Sequence, residues 1–89
     1  MQRKVFTEAL AAEGFEQVVA VTREPNGVLD THAHPFEAKA LILSGELHLR
    51  LGDDAERAYQ AGQVFHLKAG EAHSERYGSE GVEYLVGRK

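Results

Sequence analysis

The stretch THAHPFE at positions 31–37 carries two histidines separated by one residue, His32 and His34, directly ahead of a Pro-Phe-Glu turn. On an extended chain side chains alternate between faces, so both imidazoles point the same way. A metal ion is a partner such a pair could share. The chain has no cysteine, which excludes a disulfide framework, a thiolate nucleophile and a Cys-based zinc knuckle; any ion must be held by His and carboxylate. No Ser-His-Asp or Cys-His nucleophile arrangement, phosphate-binding glycine loop or pair of catalytic carboxylates can be argued from the sequence, and no residue is singled out as catalytic.

The elements that must position these side chains are mostly strands. Residues 3–13 are good helix formers with Val5, Phe6, Ala9 and Leu10 at helical spacing, and Gly14 sits where a left-handed cap would close a short helix. After Gly14 the pattern changes. FEQVVAVTRE is rich in β-branched residues and ends at the turn signal Pro25-Asn26-Gly27. ELHLRL alternates, with Leu47, Leu49 and Leu51 against Glu46, His48 and Arg50, and GDD then turns the chain into AERAY. Further strands are expected at QVFHL, HSERY and VEYLV, with Gly62, Gly70, Gly78, Gly81 and Gly87 between or after them. Short strands with glycine-bearing turns predict a sandwich or barrel.

Length and charge bound the rest. The chain has 89 residues, the size of one small domain. It is 43% hydrophobic and 27% charged, enough apolar material for a core. A net charge of −4 leaves no electrostatic footprint for nucleic acid or for an anionic membrane. With no signal-peptide pattern and no long apolar run, the expected location is cytoplasmic. Positions 40–43, Ala-Leu-Ile-Leu, are apolar without alternation and therefore buried on both faces. One face meets the core; the other needs a cover, either a second copy, giving a homodimer, or the N-terminal helix or first strand.

Taken together, positions 27–77 resemble the two motifs of the cupin superfamily. The first motif reads Gly27, Val-Leu-Asp-Thr, His32-Ala33-His34 and then Gly45; the second reads Gly62, QVFHL, Lys68-Ala69-Gly70, Glu71-Ala72 and His73. The resemblance implies an all-β, cupin-type double-stranded β-helix, or jelly-roll barrel, with residues 1–14 as a short N-terminal helical segment and 15–89 as the barrel. It also implies that His32, His34 and His73 converge as metal ligands for one divalent transition metal, whether Zn, Fe, Ni, Mn or Cu.

The departures from the family pattern are informative. Counting forward from His34 and back from Gly45 both place the family's carboxylate ligand at position 38, which is Ala38 here. Glu37 is one residue away, on the opposite face unless a bulge re-aims it. Lys68 and Tyr77 stand where the family has Pro and Asn. If the strand alternates through His73, Glu75 and Tyr77 share its face and could serve as an acceptor and a pocket hydroxyl. Ala38 and Ala40 would share the inward face with Ile42, leaving a small apolar wall and room for a ligand. His48 and His66 match no metal position, and Lys39 falls on the outer parity. The implied function is a metal-dependent enzyme of dioxygenase or isomerase type acting on a small molecule, through an open three-histidine site. The alternative is a module that binds or senses a small molecule without converting it.

Overall fold

The computed structural model describes residues 1–89. One helix, α1 (Arg3–Ala12), precedes six strands: β1 (Gln17–Arg23), β2 (Val28–His32), β3 (Ala38–Leu51), β4 (Arg57–Gln60), β5 (Val64–Leu67) and β6 (His73–Arg88). The helix ends as its sequence predicts, with Gly14 at φ 86 and the Phe15 amide returning to the Leu10 carbonyl.

Two long antiparallel strands, β3 and β6, pair along their whole length and form the spine of the molecule. The first half of β3 also pairs with β5, and the second half of β6 with β1. The other halves pair with β4 and β2 respectively. Each half is thus a four-stranded sheet, β1-β6-β3-β5 at one end and β2-β6-β3-β4 at the other, and the spine bends so that the two face each other. This is the double-stranded β-helix.

The sequence pattern predicts separate strands on either side of Ser44-Gly45 and of Gly78–Gly81; the structure instead carries the chain through both points. Register shifts between Ile42 and Ser44 and between Gly45 and Leu47 change the side-chain parity of β3. Ala38, Ala40 and Ile42 therefore face the same interior as Leu47 and Leu49, although one set is even and the other odd. Strand β6 does the same, from His73, Glu75 and Tyr77 to Val82, Tyr84 and Val86. Gly45 and Gly81 make the bend possible. Both have positive φ, 79 and 73, and a Cβ on Gly45 would collide with the Gly81 carbonyl.

The interior cluster joins both sheets through Ile42, Leu47, Phe65, Tyr77, Val82 and Tyr84. A second cluster lies outside the barrel, where Phe6 and Leu10 of α1 and Phe15 pack on Leu41 and Leu85, with Leu43 against them. The second face of positions 40–43 is therefore covered by the chain's own helix rather than by another copy, and the apolar strip carries no argument for a homodimer. Lys39, on the same outer face, pairs with Glu13 at 2.9 Å and ties the helix end to β3. No helix is long and apolar enough to cross a membrane.

Candidate metal centre

Strand β2 ends at His32, and the chain stays extended enough for His34 to follow on the same side. Strand β6 begins at His73, which pairs directly with His32 across the β2–β6 ladder and with Leu51 on β3. The loop before β6 is bound to the loop after β2 by the Gly70 amide, 2.7 Å from the His34 carbonyl. These links bring His32, His34 and His73 together: their ligand atoms lie within 4.8 Å of one another and their ring centroids 4.2–5.1 Å apart.

The backbone fixes the tautomer of two of the rings. His32 Nδ1 lies 2.8 Å from the Asp30 carbonyl and His73 Nδ1 3.1 Å from the Glu71 carbonyl. A carbonyl oxygen only accepts, so each Nδ1 carries the proton and each Nε2 presents a lone pair. This is how ligating histidines are commonly held. His73 is 1% exposed, and its Nε2 has no hydrogen-bond partner. His34 stacks on Phe36 at 4.8 Å, and the Arg88 guanidinium sits 5.1 Å over the Phe36 ring. Burial, then the charges of His32, His73 and Arg88, pushes the His34 imidazole below its ordinary 6.5, toward the neutral form that can ligate.

His32 and His34 open into a cavity of about 70 Å³ inside the barrel, lined also by Leu29, Phe36, Ala38, Glu75, Tyr84 and Arg88, with His73 buried behind them. The Glu75 carboxylate is 6% exposed, with Oε2 3.5 Å from His73 Nε2 and Oε1 accepting a hydrogen bond of 3.2 Å from Tyr77. Burial, and then the nearby charge of Glu75, raises the Tyr77 hydroxyl well above its ordinary 10, so it remains a donor.

Each residue singled out from the sequence has a definite place. Ala38 lines the cavity, whereas Ala40 and Ile42 lie deeper in the core. Glu37 does not reach the histidines. No bulge falls at this position, so it keeps the outer parity of its neighbour Lys39 and pairs with His66 on the surface. His48 is also outside, between Glu46 at 2.5 Å and Glu56 at 3.4 Å. Phe36, Tyr84 and Arg88 belong to the cavity without having been expected there. Period-two alternation from His34 to Phe36, and from Tyr84 through Val86 to Arg88, is the signal that places them.

The donor set fits a metal. Three nitrogens bonded at about 2.1 Å to one first-row ion lie roughly 3–4 Å apart, and here the ligand atoms lie within 4.8 Å of one another. The orphaned Nε2 of His73 supplies a lone pair with nothing else to bind.

The chain belongs to the cupin domain family, whose model matches residues 19–86. No curated protein sequence matches it significantly. Among solved structures, it is similar to a conserved protein with a double-stranded β-helix domain from Klebsiella pneumoniae, at 23% identity and a TM-score of 0.69 over 80% of this chain and 64% of that one. It is also similar to DMSP lyase from Ruegeria pomeroyi, at 22% identity and 0.75 over 81% and 36%. A variant of oxalate decarboxylase from Bacillus subtilis matches at 20% and 0.73 over 81% and 20%, and another structure of that enzyme concerns its Mn(II) centres. The chain thus spans 64% or less of each of these proteins, and the shared feature is the fold.

Proposed function

We propose that the chain binds one divalent transition metal through His32, His34 and His73 and acts on a small molecule admitted to the barrel, as a metal-dependent enzyme of dioxygenase or isomerase type. The observation that carries this reading is the buried His73 Nε2, which has no hydrogen bond and belongs to a cluster whose ligand atoms lie within 4.8 Å of one another. An unsatisfied buried acceptor of this kind costs about 1–3 kcal/mol, which a bound cation removes. Fold neighbours that include an oxalate decarboxylase with Mn(II) centres and a DMSP lyase support chemistry inside such a barrel.

Bound there, the ion would supply Lewis-acid polarisation of a ligand oxygen. The chain's own residues do the remaining work. The Asp30 and Glu71 carbonyls hold the His32 and His73 rings in the ligating tautomer. Ala38 keeps the wall small where other family members carry a carboxylate. Phe36 and Arg88 form one side of the cavity. Tyr77 retains its proton and donates it in a hydrogen bond to Glu75 Oε1.

Elemental analysis of protein purified without an affinity tag or added metal tests the reading. One equivalent of a transition metal is expected in the parent and well under half an equivalent in His32→Ala. Iron favours an oxygenase, and zinc favours isomerase or ligand-binding chemistry. Equal metal content in parent and variant contradicts the site.

A further inference from the structure

We infer that Glu75 supplies the carboxylate ligand that Ala38 cannot, so that the metal is held by His32, His34, His73 and Glu75. This rests on the three-histidine reading and adds a fourth donor from β6 in place of the one the family takes from β3. The starting point is the buried pair His73 Nε2 and Glu75 Oε2, 3.5 Å apart. The Glu71 carbonyl holds the His73 proton on Nδ1, so Nε2 faces the carboxylate with a lone pair. Two lone-pair atoms opposed in a buried space repel unless a cation lies against both. Neighbouring donors around a four-coordinate ion with bonds near 2.1 Å are about 3.4 Å apart, close to the observed separation.

The surroundings of Glu75 favour the same assignment. Its side chain is 6% exposed, and no Lys or Arg lies within ion-pair distance. Arg23 lines the same cavity without forming an ion pair with it. A carboxylate in this position needs a cation to offset its lost hydration. Tyr77 occupies Oε1 and leaves Oε2 for the ion. The ladder is regular here, with Leu51 opposite His73, Leu49 opposite Glu75 and Leu47 opposite Tyr77, so alternation aims His73 and Glu75 into the same space. Glu37, the nearer candidate in sequence, is occupied on the surface by His66.

The test titrates Zn²⁺ into the chelator-stripped full chain by calorimetry and records the visible absorption of the Co²⁺-loaded protein. Glu75→Gln keeps the shape and removes the charge. Its Zn²⁺ affinity should fall by roughly 100-fold or more, the upper end of what loss of a merely orienting partner causes. Its Co²⁺ bands should also shift in position and intensity. Adding Ala38→Glu to Glu75→Gln should recover most of the affinity by returning a carboxylate from β3. Unchanged affinity in Glu75→Gln, or weaker affinity with an unchanged Co²⁺ spectrum, overturns the assignment. If Glu75→Gln does not fold by circular dichroism, Glu75→Asp, which withdraws the carboxylate by one methylene, should give the same spectral change, and an unaltered spectrum there is equally contrary. A parent that binds no Zn²⁺ overturns the three-histidine reading and this inference with it. Binding abolished in His73→Ala but intact in Glu75→Gln overturns this inference alone.

Discussion

A neutral imidazole is both a base and a ligand, and at His34 the two properties meet. Burial and the charges of His32, His73 and Arg88 hold its folded pKa below the ordinary 6.5. The unfolded chain therefore binds a proton here before the folded one does, and stability rises with pH across the interval between the two values. The contribution is complete above about pH 6.5 and is lost as the pH falls below it toward the folded value. Thermal melts of metal-free protein should accordingly drop in midpoint below about pH 6.5, and His34→Gln should flatten that drop. A midpoint that stays level from neutrality to pH 5 in the parent would contradict this. Lower in pH a different set takes over. Glu46, bonded by Gln60, and Glu56, bonded by Arg76, titrate below their ordinary 4.5, so their surface contacts to β4 and β6 weaken only there. Metal affinity should also fall as pH drops through the free histidine range, because ligation needs the unprotonated ring. His48→Ala should leave that affinity unchanged, since the ring lies outside the barrel between Glu46 and Glu56.

Two devices at the level of elements hold the barrel in the shape the site needs. The first is the bend in the β3–β6 spine, where a Cβ on Gly45 would strike the Gly81 carbonyl and one on Gly81 would strike the Arg23 carbonyl. Gly45→Ala should cost about 2 kcal/mol or more, combining a positive-φ penalty with a backbone clash. Urea unfolding would measure it, and a loss under about 0.5 kcal/mol, the range of ordinary surface substitutions, would show that the bend does not depend on glycine. The second is α1, which seats Leu10, fully buried, on Leu41 and Leu85. Leu10→Ala should cost about 2–5 kcal/mol while leaving the stoichiometry of metal binding intact, because the helix cluster and the histidines lie on opposite sides of the sheet. A coupled loss of the metal would mean that α1 also positions the site. Most strands were legible in the sequence, since alternation in ELHLRL and the glycine-bearing turns are local signals, but β2 (Val28–His32) was not among those expected. Nor was the continuity of β3 and β6 legible. A bulge that flips parity at Gly45 is set by what the other strand presents at Gly81, 36 positions later in the sequence.

For the whole molecule, the same division between local and long-range information explains what could be read in advance. The spacing of His32, His34 and His73 and of the surrounding glycines pointed to one barrel interior, and the fold is the one that spacing implies. The cover of positions 40–43 depended on where α1 packs, a tertiary choice between helix and second copy that composition does not decide. The partner of Glu37 was equally remote in sequence, His66 on the adjacent β5. Phe36 and Arg88 meet only because β6 ends beside the start of β3, with Arg88 opposite Ala38. The central claim is that the three convergent histidines hold a metal. Calorimetric titration of Zn²⁺ into chelator-stripped parent and His73→Ala tests it most directly. The account predicts one site in the parent and little or no binding in the variant; equal affinity in the two proteins would contradict it.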